Sequence, residues 1–396
     1  MIDNHLPRSR THVVYTIAVI GFIYTLHLVL PMYSNSSFLN IFADEKTLSY
    51  IYMAGAAVSI LGYLFASSFI RRIGNYRTAI TLVIIQIGLF YGLMTATSPI
   101  ALTTLFILQT AVISLIGLCL DIFLEVYTDG MHIGTVRGMY NATLNASWVI
   151  APLIGSMLIN GSNNFHATYV AALAMLFPLL YLIYRNFPRF RDPNYTHLSP
   201  WQLVKHLDHN KNWVNLFSAN IILQVFYSWM TIYCSMYLIK VMGFHWEDMG
   251  YILAIMLIPF PLIQYPLGIL SDKKYGEKEI MLAGFVLLGL STIGLTFIHI
   301  QNWAVWALAL FITRIGAAAA EIMMETYFFK TVSPRDSAAL GIFRITRPLS
   351  YLIAPLITIA SIYFFRSQEL SPYMFTIIGV ITLFAIIPVM RIKDTN

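Results

Sequence analysis

Twelve long runs of mostly apolar residues follow one another along this chain of 396 residues. Each has the roughly 20 residues that a helix needs to cross a bilayer core of about 30 Å. Lipid offers no hydrogen bonds, so the backbone of each run must pair within itself, which predicts helices. The predicted spans, numbered one to twelve, are 13–33, 48–70, 77–96, 99–128, 136–160, 166–184, 213–239, 248–270, 279–299, 302–330, 338–364 and 371–391.

Composition excludes most other classes of protein. The chain is 58% hydrophobic and 11% charged, whereas soluble domains are about 45–50% apolar and about 25% charged. Disordered, collagen-like and nucleic-acid-binding chains need more charge, or more Gly and Pro. Cys119 and Cys234 lie inside apolar runs, so a disulfide framework is not expected. We predict an all-α membrane protein with no nucleic-acid partner.

The distribution of basic residues predicts the orientation of the spans. If the N-terminus is cytoplasmic, eighteen of the 24 Lys and Arg residues lie on the cytoplasmic side and three on the outside. Cytoplasmic loops carry an excess of Lys and Arg, so both termini are predicted to be cytoplasmic, in a plasma or inner membrane. The other three, Arg314, Arg344 and Arg347, lie within spans.

The chain divides into two halves that repeat. A polar segment with several prolines, 185–212, separates residues 1–184 from 213–396, and its Ser199-Pro200 predicts the start of an amphipathic helix on the cytoplasmic surface. D-I-F-L-E-V-Y in span four matches E-I-M-M-E-T-Y in span ten, and S-W-V-I-A-P-L-I in span five matches S-Y-L-I-A-P-L-I in span eleven. Six spans per half predict a parallel repeat of two six-helix, pseudo-symmetric bundles.

The loop after span eight carries a recognisable motif. It reads G-I-L-S-D-K-K-Y-G-E-K, from Gly268 through Asp272 and Lys273 to Gly276 and Lys278. The chain resembles the major facilitator superfamily of secondary transporters, whose loop signature is G-x-L-a-D-R/K-x-G-R/K. The resemblance implies a conformational latch at Asp272, so Asp272→Asn is expected to slow transport. The loop after span two is degenerate, with Arg71 where the acid should be.

The resemblance also implies a central cavity lined by spans one, four, seven and ten. Polar and small residues repeat at helical spacing on one face of each of these spans, and such a face must turn toward protein or water. The resulting candidates for the substrate cavity are Tyr24, His27, Ser114, Gln224, Tyr227, Thr231 and Arg314. His27 has a second interpretation, a hydrogen bond between helices.

Charged residues inside the membrane supply the candidates for coupling and gating. Asp121 either carries a proton or is a hydrogen-bonded structural carboxyl, with Glu321 as the next proton carrier. Matching depths along spans ten and eleven predicts that Glu321 pairs with Arg344 or Arg347, which leaves Arg314 facing the cavity. Structural ion pairs are predicted at the helix ends, between Glu125 and Arg137 and between Glu325 and Arg335.

These features predict a secondary transporter that works by alternating access. No P-loop is present, so ATP is not expected to be the direct energy source, and protons are the expected driver. No cofactor is expected. Span five, S-x-x-x-A-P-x-x-G-S, is similar to the superfamily's antiporter motif and favours export of a small organic solute. A monomer is expected. The alternatives are a sugar or organic-anion uptake carrier, which His27 and Arg314 would suit, and a polytopic membrane enzyme, for which no catalytic cluster is found.

Overall fold

A computed structural model describes residues 8–128, 133–159, 165–192, 211–273, 276–331, 337–365 and 371–393. It describes their side chains except those of residues 8–11, 67, 128, 133–138, 265, 268–273, 329, 337–342 and 365. Twelve helices in these ranges are long and apolar enough to cross a membrane, as predicted. The division at 185–212 stays a prediction, because the linker helix expected after Ser199 lies outside the described residues.

The spans of the first half are unbroken helices. They are Arg8–Met32, Glu45–Ile73, Asn75–Thr95, Pro99–Thr128, Ile133–Ile159 and Phe165–Asn186, with a short helix, Asn35–Leu39, between the first two. The ends on the side of Arg8 are called the terminal side of the molecule, and the ends on the side of Met32 the opposite side.

Spans seven, eight and twelve of the second half are interrupted along their length. Span seven runs as Lys211–Trp229, a π-helical turn at Met230–Cys234 and Ser235–Lys240; span eight is Trp246–Leu257 and Pro259–Lys273. The break in span eight falls at Ile258, because Pro259 lacks the N–H that would continue the hydrogen-bond ladder. The remaining spans are Glu277–Leu295, Trp303–Thr331, Ser337–Phe365 and, for span twelve, Tyr373–Leu383 with Ile386–Arg391.

Two pairs of spans form the most extensive contacts between the halves among the described residues. Span two packs against span eleven, and span five against span eight, so the same positions of the repeat form both contacts. Pro152 and Ser156 of the antiporter-like motif lie in the contact between spans five and eight, whereas Gly155 packs against span one. A Cβ on Gly250 of span eight would lie within 2.0 Å of the Ser156 Oγ, and one on Gly155 within 3.0 Å of the Leu30 carbonyl. Small residues here therefore permit close helix packing.

Carboxylates lie at equivalent helix N-termini of the two halves, on the terminal side. The Asn75 N–H donates to Asp192 Oδ1 over 2.8 Å at the start of span three. Glu277, the first residue of span nine, is fully buried and accepts from Lys330 Nζ over 2.5 Å. Negative charge is favourable at a helix N-terminus. Asp192 thus supplies an acid beside the loop in which Arg71 occupies the motif's acidic position.

Candidate substrate cavity

A cavity of about 400 Å³ lies between the two halves. Its lining comes from spans one to five of the first half, with Phe90 as the contribution of span three, and from seven, ten and eleven of the second. Four of the predicted residues line it: Tyr24, Ser114, Gln224 and Thr231. Their role in substrate binding stays a prediction.

Aromatic rings form much of the cavity wall. Tyr52 of span two stacks on Tyr351 of span eleven, with centroids 6.3 Å apart and planes inclined by 25°. The Arg347 guanidinium lies 5.9 Å from the Trp148 ring centroid, and both residues line the cavity. Flat rings beside amide and hydroxyl groups suit an organic solute with an apolar face and polar substituents.

An ion pair joins the halves at the cavity wall. Arg344 Nη1 of span eleven contacts Asp121 Oδ2 of span four, and both residues line the cavity. Each lies seven residues from the terminal-side end of its helix, at a depth of about 10 Å. The sequence interpretations of Asp121, a proton carrier or a hydrogen-bonded structural carboxyl, did not include this arginine of the other half.

The predicted ion pair between Glu321 and Arg344 or Arg347 is also wrong. Glu321 Oε2 accepts hydrogen bonds from Gln264 Nε2 at 3.1 Å and from the Tyr227 hydroxyl at 3.5 Å, both within the second half. Arg344 turns toward Asp121, and Arg347 toward Trp148. A similar depth is necessary for two residues to pair, but depth does not specify which face of span eleven meets which neighbouring span.

Arg314 is buried inside the second half, so the prediction that it lines the cavity is wrong. Its guanidinium lies over the Phe226 ring at 4.9 Å, and Nη2 lies 3.8 Å from Met256 Sδ. Only 3% of the residue is exposed. Span ten contributes Glu325 to the cavity lining and not the expected polar stripe, because spans eight and nine cover the rest of that helix.

His27 and Tyr227 do not line the cavity either, contrary to prediction. His27 is fully buried in the first half, where Nδ1 lies 2.8 Å from the Ala172 carbonyl of span six. This contact between helices is the second interpretation given for His27 from the sequence. The Tyr227 hydroxyl turns toward Glu321 and away from the cavity. Both rings lie on polar stripes that face neighbouring spans.

Contacts between the halves lie on both sides of the cavity. On the opposite side, the Ser49 and Tyr233 hydroxyls are 2.6 Å apart, and Lys240 Nζ lies 3.6 Å from Glu45 Oε1. The terminal side has the Asp121–Arg344 ion pair and, in addition, two hydrogen bonds that asparagines of span five donate to the second half. Asn141 Nδ2 donates to Glu325 Oε2 over 3.2 Å, and Asn145 Nδ2 donates to Gln264 Oε1 over 3.0 Å.

Several predicted gating residues lie outside the described part of the chain. Arg335 is not described, and neither are the surroundings of Gly268 or the side chains of Arg137, Asp272 and Lys273. The latch and the two helix-end ion pairs therefore stay predictions. Gly276 is described and caps span nine in an extended conformation.

Comparison with known proteins identifies the family. The sequence profile described as Major Facilitator Superfamily matches residues 13–261 and 235–395. The chain belongs to the major facilitator superfamily. A crystal structure of the nucleoside transporter NupG, in a variant form, is similar at 11% identity with a TM-score of 0.76, covering 96% of this chain and 99% of that one. At that identity the similarity shows the fold. No curated protein sequence matches significantly.

Family membership shows a multi-pass membrane protein and a secondary transporter. The cavity also contains two residues, Gln109 and Arg347, that the sequence did not predict to line it. Gln109 lines the cavity and belongs to a buried polar chain, yet it lies off the polar stripe from which candidates were chosen. Arg347 was assigned to an ion pair but lines the cavity over Trp148.

Proposed function

We propose that this transporter moves a small organic solute through the cavity by alternating access, driven by protons. The observation that carries the proposal is the Asp121–Arg344 ion pair, which joins the halves at the cavity wall. Family membership supports transport itself, and the proposal concerns the driving ion and its site.

The pair can couple a proton to the movement of the halves. An ionised Asp121 holds Arg344 and keeps the terminal side closed. A proton on Asp121 neutralises the carboxylate, which removes the Coulomb attraction and lets spans four and eleven separate. The side chains are 27% and 16% exposed, so water in the cavity reaches the carboxylate, while screening is weaker than at a surface.

Export is the proposed direction, which the small-residue motif of span five favours. Uptake of an organic anion is the second candidate, because Arg347 gives the cavity wall a cation beside an aromatic ring. Arg314 does not provide this cation, since that residue is buried behind the wall.

Proteoliposomes with an imposed pH gradient test the coupling. Internal pH, read by an enclosed dye, is followed after addition of ethidium, glucose, benzoate or uridine, which separates export of an apolar cation from sugar, anion and nucleoside uptake. Asp121→Asn is expected to abolish gradient-driven accumulation while exchange at equilibrium continues.

The matched control is Asp248→Asn, which removes a carboxylate from the start of span eight, on the opposite side and away from the Asp121–Arg344 pair. It is expected to keep gradient-driven flux. If Asp121→Asn also keeps full proton-driven flux, Asp121 is not the coupling group and Glu321 becomes the candidate.

A further inference from the structure

A chain of three polar side chains runs from the interior of the first half to the cavity. His27 Nδ1 lies 2.8 Å from the Ala172 carbonyl oxygen. His27 Nε2 lies 3.3 Å from Gln86 Nε2, which is 3.4 Å from Gln109 Oε1. His27 and Gln86 are fully buried, and Gln109 lines the cavity.

The hydrogen-bond roles along this chain follow from its inner end. A carbonyl oxygen only accepts, so His27 Nδ1 carries a proton and donates to Ala172. Nε2 then holds the lone pair of a neutral imidazole and accepts from the Gln86 amide group. The second hydrogen of that NH2 group donates to Gln109 Oε1. The donor or acceptor role of each group therefore determines the role of the next group along the chain.

The reversed amide orientation is unfavourable here. Turning Gln86 would set its carbonyl oxygen against the lone pair of His27 Nε2 and against Gln109 Oε1. A buried acceptor that faces another acceptor loses its hydrogen bond and keeps the cost of its burial. In the observed orientation one atom, Gln86 Oε1, is buried without a hydrogen-bond partner among the described residues.

The outer end of the chain presents a donor to the cavity. Gln109 Oε1 is taken by Gln86, so the NH2 group of Gln109 is the part left for a solute. That nitrogen has no hydrogen-bond partner among the described side chains and, unlike Gln86 Oε1, is not enclosed by protein. The neighbouring wall is aromatic, with Tyr52 and Phe106 at 5.6 Å between centroids.

We propose that His27 and Gln86 are positioning residues that hold Gln109 with its NH2 group toward the cavity. Gln109 thereby selects solutes that carry a hydrogen-bond acceptor, such as a ring carbonyl, beside a planar face. This inference rests on the proposed function only in that the solute binds in this cavity. Of the transport substrates left open, it favours ring compounds that carry a hydrogen-bond acceptor.

Uridine and cytidine are the probes, because the two rings match in size, share the carbonyl at C2 and differ at C4, where uridine has a carbonyl acceptor and cytidine an amino donor. The Gln109 NH2 group is proposed to contact the C4 substituent. Their Kd values are measured by calorimetry on the full chain in nanodiscs, without any gradient. Wild type is expected to bind uridine about fivefold more tightly, the value of one neutral hydrogen bond.

Two variants separate selection from simple structural support. Gln109→Met removes the donor and is expected to weaken uridine about fivefold with little change for cytidine. Gln86→Met leaves Gln109 free to turn, so the ratio of the two Kd values should fall toward one. Thr78→Val, which removes another buried polar group from the same helix, is the control and should keep the wild-type ratio. A purely structural role would weaken both probes alike.

A second measurement needs no solute. Nitrogen-15 NMR of histidine-labelled protein, with His27→Gln used for assignment, is expected to show His27 protonated at Nδ1 and unprotonated at Nε2. A proton on Nε2, equal binding of the probes by wild type, no binding of either, or an unchanged ratio in both glutamine variants would overturn the inference. The proposed coupling is tested separately by flux through Asp121→Asn, so either idea can fail alone.

Discussion

The contact between spans nine and ten makes a strong prediction at Gly316. A Cβ added there would lie 2.6 Å from the Gly284 carbonyl oxygen and 2.6 Å from the Leu288 nitrogen. Both atoms belong to the backbone of span nine, so no side chain can turn aside. Gly316→Ala therefore forces the two helices apart by roughly 0.8 Å, if ordinary contact is taken to begin at about 3.4 Å.

The size of the effect follows from two opposing terms. Overpacking of this kind costs about 1–3 kcal/mol, and backbone contacts place Gly316 near the upper end. Replacing a helical Gly by Ala contributes up to about 1 kcal/mol in the other direction. The expected net loss in free energy of unfolding is about 2 kcal/mol.

The matched control is Gly88→Ala, in the middle of span three, where a Cβ meets nothing within 4 Å. This variant gains the helix preference without the clash and should be stabilised by about 0.5–1 kcal/mol. Both free energies are measured by SDS titration of the purified protein in mixed micelles. Equal stability of Gly316→Ala and wild type would refute the argument from close helix packing.

Two further predictions concern helix N-termini outside the cavity. Asp192→Ala removes the acceptor for the Asn75 N–H and should lower the free energy of unfolding by about 1 kcal/mol, measured by the same titration; no change would show that span three does not need this acid. Asp44 caps span two, where its carboxylate accepts hydrogen bonds from the side chain and the backbone N–H of Thr47. These hydrogen bonds hold the pKa of the Asp44 carboxyl below the usual 3.8. A carboxyl whose pKa is lower in the folded state than in the unfolded state stabilises the fold at pH values above the unfolded-state pKa. This stabilisation is lost as the pH falls. The stability difference between wild type and Asp44→Ala should therefore shrink below about pH 4, and a difference that grows on acidification would contradict it.

The sequence by itself determined the helices and their number. A bilayer forces every spanning run to satisfy its own backbone hydrogen bonds, so length and apolar content are enough to locate a span. In the part of the chain that the structure describes, twelve helical segments long and apolar enough to cross a membrane lie at these twelve runs. The sequence also shows the internal repeat directly, because the matches between spans four and ten and between spans five and eleven depend only on the order of residues. Tyr24, Ser114, Gln224 and Thr231 reached the cavity because a polar face in lipid must turn inward.

Only the tertiary structure decided which inward neighbour each polar residue meets. Helical spacing specifies a face and a depth, but the rotation of each helix against its neighbours depends on packing along its whole length. Arg344 therefore meets Asp121 of the other half and not Glu321 at a similar depth in its own. Arg314 and His27 lie on inward faces yet pack against Phe226 and Ala172, within single halves. Partners from distant spans come together through the shape of the whole bundle, which a one-dimensional pattern does not contain.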